Sequence, residues 1–380
     1  MADDPPLDRS AGVPVDAVVD VAIVGAGITG LAVADQLAAA GRSVVVLEAR
    51  DRVGGRLWSV SDGVGTFDLG ATWFWPGERR VQALIARLGL AIHAQHLQGD
   101  ALYHEPPGAQ RLDGNPVDVP SGRFSGGAQG LAEAVAKQLP VGTIRTGRAV
   151  QAITGDPSND HLTVVLSGGG EVAARQVVVA VPPALAIDRI HFDPALPDRL
   201  AGLAAATPVW MGAVTKVVAV YDRPFWRERG LAGAAISHHG PLRELHDMSG
   251  PHGAPAAIFG FAPATTTGQP TPTVDAVVAQ LVELFGPEAA TPRAVHLRDW
   301  RDEAWTSPAG VERLTAYQTY GHPLYAEPAV GGRLRFASTE TATEHPGHIE
   351  GALAAAERAA TQILAASAAS TRSPTGSTPS

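Results

Sequence analysis

The chain has 380 residues, 45% hydrophobic and 18% charged, enough for two domains with cores of their own. Its net charge of −9, from 38 acidic and 29 basic residues, argues against nucleic acid or an anionic membrane as partner. It contains no cysteine, which excludes disulfides, thiolate metal sites, cysteine nucleophiles and cysteine-linked cofactors.

Residues 1–16 read as a polar, proline-containing leader. The opening MADDPPLDRS is acidic and has no apolar core, so no secretory signal is expected. No apolar run reaches ~18 residues, so no membrane span is expected and the cytoplasm is the default. An apolar run, Val21 to Val24, predicts a buried parallel strand, and Gly25, Gly27 and Gly30 follow it in GxGxxG spacing. A helix is expected over Leu31 to Ala40, then a second strand over Val44 to Leu47, closing on Glu48. Residues 81–88 and 128–139 carry helical apolar spacing. Strands are expected over 161–166 and 171–181, joined at Gly168 to Gly170, and over 212–221. A surface loop over 262–273 leads to a helix from Val274 to Phe285. A short strand at 333–338 and a helix over Glu350 to Ala365 complete the pattern, with a disordered tail from about Ala366 to Ser380.

The unit 21–56 carries the most chemistry. Gly25 permits a tight turn, Gly27 lets the backbone approach a pyrophosphate, and Gly30 lets helix and strand pack closely. The amides at the helix start, aided by the helix dipole, point at phosphate. Glu48 follows at about the distance at which such units hold a ribose. The extension EARDRVGGR adds Arg50, Arg52 and Arg56 as phosphate or adenine partners, with Gly54 and Gly55 keeping the backbone close to the ligand. No Ser-His-Asp or HExxH pattern suggests another chemistry. His238, His239 and His246 lack metal-ligand spacing, so no metal is expected.

These residues resemble the FAD site of the flavin amine oxidase family, which includes monoamine and polyamine oxidases. Four further segments agree in order: FDLGATWFWPGERRVQALIARLGL (67–90), VVVAVPPALAIDRIHFDPALP (177–197), GAVTKVVAVYDRPFWRERGLAG (212–233) and RLRFASTETATEHPGHIEGALAAAERAATQIL (333–364). The resemblance implies an α/β fold, with a Rossmann-like FAD domain and a discontinuous mixed α+β substrate domain. The FAD domain would take 17–77, 121–197 and 310–366, and the substrate domain 78–120 and 198–309, with residues 367–380 as tail.

The resemblance also assigns roles. Gly70, Ala71 and Thr72 match the loop under the flavin. Val150 matches a backbone contact to adenine. Thr339 and Glu340, in TETA, fall by the pyrophosphate, and Gly351 and Ala352 at the pyrimidine end of the ring. Lys216 matches the lysine that holds a water near the flavin's reactive nitrogen and helps reduced flavin meet oxygen. A lysine inside an apolar strand needs such a partner, unless it lies on an edge strand facing water.

Three departures stand out. The cysteine that bonds flavin in monoamine oxidases falls near Ala309, so FAD is expected to be noncovalent. The two tyrosines of the monoamine oxidase cage fall near Gly310 and His348, leaving His348 as a substitute catalytic contact. Trp73, Phe74, Trp75 and Trp305 are candidates to rebuild an aromatic wall, while Trp226 and Trp300 read as core. Finally, the stretch between the 67–90 and 125–139 segments is much shorter than in the family, implying a more open cavity or one closed in a homodimer. The expected function is oxidation of an amine to an imine by hydride transfer to FAD, with oxygen as acceptor giving hydrogen peroxide. The alternatives are an amino acid oxidase, for which Arg79, Arg80 and Arg123 are candidate carboxylate partners, a desaturase or dehydrogenase of secondary metabolism, and a non-catalytic flavoprotein.

Overall fold

A computed structural model describes residues 18–156, 159–264 and 268–370. The chain divides into two compact units: 1–53, 135–205 and 318–380 in the first, 54–134 and 206–317 in the second. The expected FAD-domain segments ending at 77 and starting at 121 therefore extend beyond the first unit. Residues 59–61 pair with 66–68, and 73–74 with 122–124, so strand pairing ties both stretches into the second unit.

The first unit is built on an eight-stranded sheet. Val19–Val24 lies between Val44–Leu47 and Glu171–Val179, parallel to both. Ile144–Arg145 extends one side in parallel, and Leu334–Phe336 pairs in parallel with Glu171–Val179. Leu162–Leu166 and Val150–Thr154 continue from Glu171–Val179 in antiparallel pairing, and His191–Asp193 closes that edge. Strands with parallel neighbours on both sides are buried on both faces, which is why Val21, Ala22 and Ile23 form an unbroken apolar run with no exposure. The helix Ile28–Ala39 begins three residues earlier than expected, directly after Gly27. The helix Ile349–Ser370 outlasts its expected end, so the first residues assigned to a tail are helical; residues 371–380 and 1–17 lie outside the described residues.

The second unit is built on a seven-stranded sheet in the order 294–299, 214–221, 256–263, 244–247, 231–237, 100–105, 108–111. All its pairings are antiparallel except that of 231–237 with 100–105. The sequence reading passes over most of these strands. The loop expected from 262 starts later, because the strand Ala256–Pro263 runs on. The strand Val214–Tyr221 divides its side chains by parity. Val217, Ala219 and Tyr221 join Val277, Leu281, Leu284 and Phe285 of the helix Val274–Phe285 in one core. Val218 and Val220 join Phe67, Leu69, Met248 and Phe259 in a second. Trp226 and Trp300 are buried as expected, at 0% and 4% exposure. Among the described residues no helix is long and apolar enough to cross a membrane.

Candidate active site

In the first unit the glycine turn follows from space. Gly25 has φ +102°, and a Cβ there would stand 2.9 Å from Val181 Cγ1 and 3.2 Å from the Ala180 carbonyl. A Cβ on Gly30 would sit 2.0 Å from the Gly25 carbonyl oxygen. Gly27 is different: it caps the helix in an extended conformation, no side chain caps the first-turn amides, and a Cβ would meet nothing within 4 Å. Orphan amides beside open space form an anion cradle. Glu48 is buried, at 4% exposure. Its Oε2 accepts from Ala26 N–H at 2.7 Å and its Oε1 from Arg50 N–H at 2.9 Å, so the carboxylate is held rigidly beside the turn with lone pairs to spare. Arg50 Nη1 lies 3.8 Å from Glu48 Oε1.

The other first-unit residues occupy strand and helix ends. Val150 opens the strand Val150–Thr154. Thr339 and Glu340 lie buried in a 3₁₀ turn, where Thr339 Oγ1 donates to the His348 carbonyl at 2.8 Å. Gly351 and Ala352 fall in the first turn of the helix Ile349–Ser370. Ala352 N–H donates to His348 O at 3.1 Å, the first backbone bond of this helix. The His348 ring stands 6.0 Å from that of His345. Arg358, which sequence reasoning missed, clamps the turn to the helix: its guanidinium donates to Thr341 O at 2.6 Å, Phe336 O at 2.8 Å and Thr341 Oγ1 at 3.0 Å.

The second unit holds Lys216. Its strand is paired on both sides, with Phe261 and Arg298 as register partners, so it is not an edge lysine. It is 2% exposed. Its parity places it on the face of Val218 and Val220. Nζ donates to Gly70 O at 2.8 Å and to Thr72 Oγ1, and lies 4.4 Å from the Phe259 ring centroid and 5.6 Å from that of Phe261. The Gly70 backbone is itself pressed onto Arg56; a Cβ there would fall 1.9 Å from Arg56 O. Ala71 N–H also donates to Arg56 O, at 3.1 Å, and Arg56 Nη1 to Trp210 O at 3.3 Å. Gly55 precedes Arg56 with φ +58°.

Burial pulls the Lys216 ammonium down to about 7, against the attraction of Asp68 and with the repulsion of Arg123 adding to the fall. Asp68 is itself buried, which pushes its carboxyl up, while Lys216 and hydrogen bonds from Ser59 Oγ (2.6 Å) and Ala128 N–H (2.8 Å) oppose that. Arg123 donates to Ser249 O and Met248 O, both at 2.9 Å. Two of its five N–H donors are thus held by the backbone, and the side chain is buried at 5% exposure.

An aromatic group adjoins the lysine. Trp73, next after Thr72, lies 5.1 Å from Phe259, 4.8 Å from His246 and 6.2 Å from Trp75, and its Nε1–H donates to Gln95 Oε1 at 2.9 Å. His246 is buried between Asp118 Oδ1 (2.6 Å) and Glu244 Oε1 (3.0 Å). Burial lowers its pKa, but the two carboxylates prevail and hold it above the ordinary value. Phe74 is core and Trp305 is exposed. Gly310 takes a left-handed conformation ahead of a 3₁₀ turn. Phe259 and Phe261 escaped the sequence reading, which weighed His246 only as a metal ligand; the alternation in AIFGFA was the available signal for the two phenylalanines.

A glycine cradle with uncapped amides on parallel strands and a rigid acidic residue after the second strand define a dinucleotide-binding unit of α/β class. The flavin-containing amine oxidoreductase family matches residues 28–125 and 115–364, and the chain belongs to that family. It is similar to a probable flavin-containing monoamine oxidase A of Dictyostelium discoideum, at 26% identity over 456 aligned positions, covering 90% of this chain and 97% of that one. A putrescine oxidase of Kocuria rosea is 27% identical, with 91% and 95% covered. Both alignments are longer than the chain, so these relatives carry stretches with no counterpart here. The fold is shared with a cyclohexylamine oxidase from Brevibacterium oxydans (TM-score 0.80, 24% identity, 93% and 100% covered). It is also shared with a putrescine oxidase bound to putrescine (TM-score 0.79, 24% identity, 92% and 99% covered). The protein is an FAD-dependent amine oxidase-like enzyme, and with no cysteine it has no thiol to tether the flavin.

Proposed function

We propose that the protein oxidises an amine to an imine, which water then hydrolyses, and that oxygen takes the electrons to give hydrogen peroxide. Bound FAD supplies the two-electron chemistry, accepting a hydride from the carbon that bears nitrogen. The chain supplies position and charge. The Gly25–Gly30 turn and the amides after Gly27 would hold the pyrophosphate, Glu48 the ribose, Val150 the adenine, and the Thr339–Glu340 turn with Gly351 the remaining polar edges. Gly70, Ala71 and Thr72 place Lys216, and Trp73 with Trp75 supplies apolar surface for the amine.

The single observation that carries the oxygen step is Lys216: a buried ammonium, ringed by two oxygens and two phenylalanine faces, that titrates near neutrality. A positive charge held in a dry site stabilises the negative charge that oxygen acquires as it is reduced. The amine must be neutral to give up hydride, so its oxidation is expected to quicken toward alkaline pH. An amino acid oxidase is less favoured at Arg123, which is buried and bonded to two backbone carbonyls.

The test is anaerobic. Amines and their amino acid counterparts are added to the yellow protein and the flavin absorbance is followed, then air is admitted and peroxide is measured. Bleaching by an amine and equimolar peroxide support the reading. A flavin that no amine bleaches, or a strict need for a carboxylate, overturns it.

A further inference from the structure

The strand that carries Lys216 in the second unit also borders a cavity on its other face. Alternation along Val214–Tyr221 turns Thr215 away from Lys216, to the side of Val217 that the helix Val274–Phe285 covers. Thr215 pairs in register with Ala262 on one flank and Asp299 on the other. A cavity of about 430 Å³ opens over this row, and Thr215, Ala262, Arg243 and Arg301 line it together with Thr273 and Ala276 at the helix start. Its volume falls within the range of small-molecule sites, roughly 300–1,000 Å³.

The polar groups around the cavity are donors without acceptors. Thr215 is 2% exposed, yet among the described residues its hydroxyl makes no hydrogen bond. Buried hydroxyls are ordinarily paired, and the cavity is what this one borders. Arg243 is exposed; its Nη1 donates to the Gly240 carbonyl at 2.7 Å, and among the described residues it makes no ion pair. Arg301 differs: it is ion-paired with Asp299 and donates to the Gln269 carbonyl at 2.6 Å, so it adds shape without net charge. At the helix start Thr273 Oγ1 accepts from Ala276 N–H at 3.2 Å. The amides of Val274 and Asp275, ahead of it, have no acceptor among the described residues, and the helix dipole adds to their positive field. The acid of that first turn, Asp275, does not line the cavity. Pro241, Pro263, Pro270 and Pro272 supply walls that are rigid, apolar and without N–H groups.

We propose that this cavity binds a small molecule with an oxyanion head, a carboxylate or phosphate, and an apolar body. The head meets the Arg243 guanidinium, the Thr215 hydroxyl and the helix start, all of which can donate. The body packs against the prolines and Ala262. A cationic amine is repelled by the same groups, so the occupant is not the substrate oxidised on the Lys216 face.

The test is calorimetric titration of the FAD-loaded full chain with phenyl phosphate, which carries both halves of such a ligand, and with phenol, which lacks the anion. The variants are Arg243→Gln, Thr215→Val and Thr215→Ser, and retained flavin and the melting curve confirm folding. Phenyl phosphate should bind once per chain at millimolar affinity or better, and phenol far more weakly. Arg243→Gln should weaken it about tenfold or more and Thr215→Val about fivefold, while Thr215→Ser, which keeps the hydroxyl, binds as the parent does. No saturation at millimolar phenyl phosphate, or phenol binding equally well, overturns the site. So does unchanged binding in both Arg243→Gln and Thr215→Val, which means an anion held elsewhere on the chain.

Discussion

The glycine turn of the first unit and the lysine pocket of the second are built in opposite ways. The turn is local: Gly25, Gly27, Gly30 and Glu48 fall within 24 residues, and their partners are mostly backbone atoms of the same strand–helix–strand segment. The pocket is assembled from afar. Lys216 bonds to residues 144 and 146 positions away, and its aromatic neighbours come from another strand. A site made of backbone conformation tolerates no change of shape, whereas one made of burial and charge is tuned by each neighbour.

The sharpest break should come at Gly30. An alanine inside a helix ordinarily gains about 1 kcal/mol over glycine. Gly30→Ala should instead cost about 3 kcal/mol or more and lose the flavin, because its Cβ has only 2.0 Å to the Gly25 carbonyl. Thermal melts and the flavin absorbance per protein check this; a variant that melts higher and stays yellow breaks the contrast.

Glu48→Ala comes next. It orphans one buried and one part-buried amide, the buried one at about 1–3 kcal/mol, and should weaken FAD by about a hundredfold or more, while Glu48→Gln keeps one acceptor and loses less. Flavin titration of the apoprotein measures both.

Lys216→Met should leave flavin bound and its reduction by amine nearly unchanged, and slow reoxidation by oxygen about a hundredfold in stopped-flow traces. In the parent, reoxidation should fall as pH rises through about 7, where the ammonium loses its proton; the variant should show no such step. Stability supplies the matching sign. The unfolded chain keeps this proton to about 10.5 and the folded one loses it near 7, so the parent binds fewer protons when folded in that window. Its stability relative to Lys216→Met should therefore rise with pH from about 7 to 10.5, as read from urea melts at several pH values.

Thr72→Val should be the mildest. Removing one oxygen from the ammonium disfavours its charged form, moving the reoxidation midpoint down by about one pH unit while bound flavin stays constant. A midpoint that stays in place would mean that the threonine does not tune the lysine.

The parts legible from sequence were those whose physics repeats along a few residues. Val21 to Val24 read as a doubly buried strand, Val44 to Leu47 and Val274 to Phe285 were placed at their observed bounds, and Gly27 lies at the helix start. The misreadings were equally physical. Short strands such as Glu244–Asp247 and Ala294–Asp299 carry weak alternation of their own and exist because neighbours pair with them. The 54–77 and 121–134 stretches join the second unit through pairings between distant residues.

By itself the sequence determined that a nucleotide-binding turn begins at Gly25 and that no thiol can take part in the chemistry, because conformational demands on glycine and the supply of reactive groups are written residue by residue. That Lys216 is central, desolvated and held by Gly70 and Thr72, and that Arg123 is buried against two backbone carbonyls, was decided only by the tertiary structure. Burial, hydrogen-bond partnership and proton affinity belong to the space around a side chain, and that space is filled by parts of the chain its neighbours in sequence do not name.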